Sequence, residues 1–243
     1  MVGETYIYSY GFWDIFQYFG YFFVLIAALA SLIVSANVKL TFRKWSKYPT
    51  RPGLTGAESA RLVLQANGVS GVRIAPCSGE LTDHFDPRDN TVYLSETVFD
   101  KATAAAVGVA AHEAGHAVQH AQAYGPIKLR QAIIPATNIG SRLSTPLIIA
   151  GLVFPAVYPL ALIGVFLFGL CVVFQLVTLP VEFNASRRAV QCLSSNGILA
   201  GDELKGAKKT LTAAALTYVA ALSVALLQFL RLLAIVSGGR RRR

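Results

Sequence analysis

The sequence predicts a mainly α-helical, polytopic membrane protein that carries one small α+β portion in the cytosol. Three observations lead there. Of the 243 residues, 54% are hydrophobic and only 14% are charged, whereas a soluble domain carries about a quarter charged residues. The apolar residues collect in long runs almost free of charge, and the runs reach or exceed the roughly 20 residues that a bilayer span needs. Only residues 39–130 mix polar, turn-forming and apolar side chains as a soluble domain does.

The first element is an N-terminal transmembrane helix within residues 1–38. The chain opens with aromatic and acidic residues (Glu4, Tyr6, Tyr8, Tyr10, Trp13, Asp14), and an apolar run follows from about Ile15 to Val38. No Lys or Arg precedes this run, which is unlike a signal peptide. Lys39, Arg43, Lys44 and Lys47 follow it. The positive-inside rule then puts the N-terminus outside and the next segment in the cytoplasm.

The cytosolic portion, 39–130, begins with Thr55 and Glu58, spaced as a capping box that opens a helix ending near Asn67-Gly68. Two strand-like runs follow, Val72–Ala75 and Thr91–Leu94, separated by turn formers from Asp83 to Asn90. Thr91–Leu94 is a candidate edge strand for an extended substrate backbone; an ordinary hairpin strand is the alternative. A second helix is expected to open near Asp100 and to run through the alanine-rich stretch from Ala102 to Gln119.

Residues 131–192 form the third element. No charged residue occurs between Thr145 and Val181, which is too long for one span. Pro155 and Pro159 divide it into a transmembrane hairpin. Its second arm ends at Glu182, and Arg187 and Arg188 mark a return to the cytoplasm. The last element, 193–243, holds a loop, a fourth apolar run over about Leu211–Val236, and a basic tail, Arg240–Arg243. Lys205, Lys208 and Lys209 precede that run, so both of its flanks are basic. A four-span count puts the C-terminus outside, against the charge rule. The run is either a span that violates the rule or a helix that enters the membrane partly and packs on the helix around His112.

The formal net charge of +9 raises nucleic-acid binding. The basic residues flank apolar runs instead of interleaving with aromatics, which points to anionic lipid as the partner. Cys77, Cys171 and Cys192 have no short spacing, so they form neither a disulfide framework nor a metal motif.

The residues that carry chemistry are His112-Glu113-Ala114-Gly115-His116. On a helix, residues four apart lie on one face, so both imidazoles can reach one zinc ion. Glu113 projects beside them as general base for a metal-activated water. A catalytic zinc usually has a third protein ligand, and Glu182, Asp83, His84, Asp86 and His120 are the candidates. His120 lies about 12 Å along the helix from His112, so the two cannot share an ion. Glu182 is preferred, because a carboxylate ending an uncharged apolar helix needs a partner; an ion pair with Arg187 or Arg188 is its other use.

Several segments together resemble the YugP-type family of bacterial membrane zinc metallopeptidases: Leu54–Glu58, Gly79–Arg88, the His112 motif, Thr178–Arg188 and Ala213–Ala220. The resemblance covers nearly the whole chain. It implies a multi-pass protein of the bacterial cell membrane that binds one Zn2+ per chain. A more distant similarity is to the membrane gluzincins of the prenyl-protein and heat-shock type, whose later E-x-x-A-D supplies a zinc-binding glutamate. Glu182-Phe183-Asn184-Ala185-Ser186 is similar to that element and implies Glu182 as third ligand. Ser186 stands where an aspartate would, leaving Asn184 or Asp83 to orient a ligand histidine. His84 and Tyr218 are candidate oxyanion donors, with structural hydrogen bonds as their alternative.

The expected function is a membrane-bound zinc endopeptidase with its site at the cytoplasmic surface, acting on membrane or membrane-proximal proteins. Two other classes compete with it. A non-catalytic zinc-binding membrane module would close the metal with a fourth ligand such as Asp83 or His84. A transporter or channel subunit would show charged residues along its spans, and Arg142 and Arg231 are the only ones away from the ends of the apolar runs.

Overall fold

The computed structural model describes residues 12–241. The segment holding Glu4, Tyr6, Tyr8 and Tyr10, together with Arg242 and Arg243, lies outside the described residues. Six α-helices and three short strands follow in the order α1 (Phe12–Trp45), α2 (Gly56–Ala66), β1 (Arg73–Cys77), β2 (His84–Asp86), β3 (Thr91–Ser95), α3 (Ala104–Ala121), α4 (Gly125–Val153), α5 (Pro159–Ser195) and α6 (Gly201–Arg241).

Local sequence sets the helix ends. Thr55 and Glu58 form the expected capping box: the Glu58 amide donates to Thr55 Oγ1 (3.3 Å), and the Thr55 amide donates to Glu58 Oε2 (2.8 Å). The helix that carries His112 and His116 begins at Ala104, not near Asp100. Thr103 is extended and its hydroxyl accepts from the Ala106 amide at 3.3 Å, so a hydroxyl N-cap prevails over the earlier aspartate. Gly125–Val153 is a single helix that begins well before Thr145, with Pro135 and Pro146 inside it. Phe154 is extended, a 3-10 turn covers Pro155–Val157, and Pro159 opens α5, where its missing N–H leaves no bond unmade.

The four apolar runs of the sequence fall on α1, on α4 and α5 either side of Pro155–Val157, and on α6. Among the described residues three helices are long and apolar enough to cross a membrane: α1, α5 and α6. Asn138, Ser141, Arg142 and Ser144 dilute the apolar character of α4.

The edge-strand expectation is also overturned. The sheet order is β1-β3-β2, with β3 in the centre. It pairs with β1 in parallel, Ile74 opposite Val92, and with β2 antiparallel, Phe85 opposite Val92. Thr91, Val92, Leu94 and Ser95 are all buried, so β3 has no free edge. The residues expected to be a turn, His84–Asp86, form the outer strand β2 instead.

By its contacts the chain divides into two compact units. Of the described residues, one comprises those up to Ser31, Ile134–Gln175 and those from Ala220; the other comprises Leu32–Ile133 and Leu176–Val219. The second unit holds the sheet, α2, α3 and portions of α1, α4, α5 and α6. Its core joins Phe42, Trp45, Val63, Leu94, Val107, Ala111, Leu193 and Leu211. Glycine permits two close approaches here. A Cβ on Gly108 would meet Ala207 Cα and Cβ at 3.0 Å, and one on Gly206 would overlap the Trp45 ring. The first unit has a small core of Ile148, Ala161, Val165 and Val236.

Candidate metal centre

The sequence around the motif is nearly all small. Ala110, Ala111, Ala114 and Ala117 are buried, so α3 can lie close to its neighbours. The tightest approach is at Gly115, where a Cβ would stand 3.0 Å from the Ala185 carbonyl oxygen of α5. That approach brings Glu182, one turn before Ala185, to the two histidines. Glu182 Oε2 is 3.3 Å from His112 Nε2 and 3.4 Å from His116 Nε2. The imidazole centroids are 4.7 Å apart and the rings meet edge-on at 82°.

His112, His116 and Glu182 each offer one ligand atom, and these atoms lie within 4.8 Å of one another. Glu182 is only 2% exposed, and no hydrogen bond reaches its Oε2. A buried carboxylate oxygen without a donor is unfavourable by itself. A cation among these three atoms removes that penalty, and two imidazoles with one carboxylate is a donor set that suits zinc. The residues therefore fit the metal that the motif implies.

The remaining atoms of the three ligands are held by other side chains. Ser186 Oγ lies 3.1 Å from His112 Nδ1. Gln119 Oε1 lies 3.0 Å from His116 Nδ1. Arg130 Nη1 donates to Glu182 Oε1 at 3.1 Å. Each candidate ligand thus has one atom engaged by protein and one directed to the common point, an arrangement suited to orienting metal ligands. The partner of Glu182 is Arg130, and neither Arg187 nor Arg188. Burial pulls the His116 pKa down, but the Glu182 and Glu113 carboxylates outweigh it and hold it above the ordinary histidine value. The surroundings favour positive charge at this point.

Glu113 is 9% exposed and opens on a cavity of about 190 Å³ that also meets Asp83, His112, Glu182, Ser186 and Tyr218. Asp83 is held by strand β3: its carboxylate accepts from the Ser95 amide (2.7 Å) and hydroxyl (3.0 Å). Burial raises its pKa; the Ser95 bonds oppose this and the nearby Glu113 charge adds to it. Leu81, in the left-handed region at φ 59°, lines the same cavity. Such a backbone costs a non-glycine residue about 1–2 kcal/mol.

The other sequence candidates are not part of the three-residue cluster. His84 is exposed, with Nδ1 2.8 Å from the Thr82 carbonyl oxygen and its ring stacked on Tyr93 at 5.1 Å. It does not line the cavity. Asp86 is paired with Arg88 at 2.6 Å. His120, at the end of α3, packs its ring against Phe85 at 5.7 Å. Asn184 Oδ1 accepts from Gln119 Nε2 (2.9 Å) and Arg188 Nε (2.8 Å). Cys77, Cys171 and Cys192 are free thiols.

The family described as "Putative neutral zinc metallopeptidase" matches residues 20–237. This span is nearly the whole chain and includes every residue of the cluster. The chain belongs to that family. It is also similar to "Putative membrane protease YugP" of Bacillus subtilis (strain 168), with 44% identity over 221 residues, or 90% of this chain and 98% of the relative. No solved structure matches. The family's description implies zinc, and His112, His116 and Glu182 are residues that could hold it.

Two residues of the site were absent from the sequence reading. Gln119 had a usable signal, since it follows His116 by three residues on the same helical face. Arg130 had none: it lies 52 residues from Glu182, and nothing local marks the pairing.

Proposed function

We propose that the protein is a membrane-bound zinc endopeptidase that hydrolyses peptide bonds of membrane or membrane-proximal proteins. The observation that carries this reading is the buried, unpartnered Glu182 Oε2 between two imidazole nitrogens, with Glu113 on the adjoining cavity. When bound, the zinc polarises the scissile carbonyl and makes water acidic enough to attack at neutral pH. His112, His116 and Glu182 hold it, one ion per chain. Among the described residues the cluster has three members, which supports a site with a position left for substrate over a closed structural one.

Glu113 is the general base. It takes the proton of the attacking water and returns it to the departing amine. Tyr218, whose side chain lines the same cavity, is the preferred donor to the developing oxyanion; His84 is exposed and not in the lining. Ser186 orients His112. Asp83, tied to β3 through Ser95, shapes the wall facing Glu113. The cavity is small, so a substrate would enter as an extended chain with little side-chain bulk at the cut.

Substrates close to the bilayer follow from chain continuity. Glu182 and Tyr218 belong to α5 and α6, the same helices that hold two of the three long apolar stretches. The basic residues 39–47 support a site on the cytoplasmic side. Activity of detergent-purified protein on quenched fluorescent peptides tests the reading. Glu113→Gln should lower kcat by about 10²–10⁴-fold with zinc content unchanged. A Glu113→Gln variant that cleaves at the wild-type rate would refute the mechanism.

A further inference from the structure

Gln119 is fully buried, at 0% exposure, on a helix whose other buried residues are alanine, valine and glycine apart from Glu113 and His116. A buried amide is unfavourable unless it is bonded, and every polar atom of this one is. Its Nε2 donates to the Val181 carbonyl oxygen (2.8 Å) and to Asn184 Oδ1 (2.9 Å). Its Oε1 faces His116 Nδ1 at 3.0 Å.

The orientation of this amide is determined by its neighbours. The Val181 carbonyl only accepts. Arg188 only donates, and its Nε is 2.8 Å from Asn184 Oδ1, so Asn184 presents its oxygen to Gln119 too. Two acceptors therefore claim the Gln119 NH2 group, and its oxygen is left for His116. An oxygen that only accepts requires the proton on Nδ1. The lone pair of His116 then sits on Nε2, the atom nearest Glu182 Oε2. Arg188 Nη1 also donates to Gln122 Oε1 at 2.6 Å, and Gln122 is the C-cap of α3. The bonds thus run from α3 to α5 and back to α3, joining the helix with two metal ligands to the helix with the third.

Resting on the zinc reading, we propose that Gln119 is a positioning residue that selects the metal-binding tautomer of His116, held in its orientation by Val181 and by the Asn184–Arg188 pair. It acts through His116 and does not touch substrate. Its effect is on zinc affinity before any turnover. A group that only filled space would be replaced well by methionine and poorly by a buried carboxylate. A group that accepts from Nδ1 is replaced well by glutamate and poorly by methionine.

Zinc dissociation constants measured by chelator competition on the purified full-length protein separate these cases, with thermal unfolding of the metal-free protein alongside. Gln119→Met should bind zinc about 10–100-fold more weakly, and Gln119→Glu within about threefold of wild type despite a lower melting temperature. Wild-type affinity in Gln119→Met would overturn the proposal. So would a folded Gln119→Glu that binds more than about tenfold more weakly, or affinities that track thermal stability in both variants. Wild type that binds no zinc would overturn the zinc reading and this inference together, whereas zinc bound equally by wild type and Gln119→Met would overturn this inference alone.

Discussion

Leu94 and Phe166 are both large apolar side chains, yet Leu94 in the site-bearing unit is 0% exposed and Phe166 in the other unit is 70% exposed. The contrast extends to the surroundings of each. In the site-bearing unit, apolar residues from α1, α2, β3, α3, α5 and α6 close over one another, and hydrogen bonds link Gln119 to His116 and Val181, Ser186 to His112 and Arg130 to Glu182. In the other unit four residues form the buried core, while Phe19, Phe22, Leu25, Ile26 and Leu162 lie exposed. Only 6% of the most apolar stretch of α1 is buried. Soluble proteins do not leave contiguous apolar surface of this kind in water. Two polar side chains of this unit are met by protein: the Tyr158 hydroxyl donates to the Val236 carbonyl oxygen, and the Arg231 guanidinium lies 5.0 Å from the centre of the Tyr21 ring. One unit thus makes its own apolar interior, and the other leaves many large apolar side chains exposed on helices long and apolar enough to cross a membrane. The self-packed unit is where His112, His116 and Glu182 come together.

Truncation gives the largest test of this difference. Leu94→Ala should destabilise the protein by about 2–5 kcal/mol in denaturant or thermal unfolding in detergent. Phe166→Ala should change stability by only about 0.5 kcal/mol. Equal losses in the two variants would break the comparison. A smaller effect sharpens it within the site-bearing unit. Gly115→Ala puts a methyl 3.0 Å from the Ala185 backbone oxygen, which α3 and α5 can accommodate only by separating. That overpacking should cost about 1–3 kcal/mol and weaken zinc binding, read by unfolding and chelator competition on one preparation. Unchanged affinity would mean that the Gly115 approach does not set the distance from Glu182 to the histidines.

Much of this was readable in the sequence, and the parts that were not share a cause. The Thr55–Glu58 capping box, the Pro155–Pro159 break and the His112–His116 pair are local patterns, decided by neighbours within one or two helical turns. The Glu182 carboxylate was found because an acid at the end of an apolar helix needs a partner, and its partners in space are the two histidines. The missed features depend on distant residues. Strand order is invisible in a single strand: Thr91–Leu94 looks the same at an edge or in the centre, and its pairing with both Arg73–Cys77 and His84–Asp86 is a tertiary fact. His84–Asp86 lies among turn formers, so its own composition argues against a strand. Arg130 reaches Glu182 only because α4 begins at Gly125, well before its apolar section. Ser186 in place of an aspartate removed a charge from the expected pattern, and its hydroxyl still reaches His112 Nδ1.

The most direct test of the central claim is the zinc content of purified wild type beside Glu182→Ala, measured by elemental analysis. The account predicts about one zinc per chain in wild type, as a three-ligand site with one open position holds, and far less in the variant, with both proteins folded. Equal zinc in the two would move the third ligand away from Glu182, and wild type without zinc after resupply would contradict the metal centre itself.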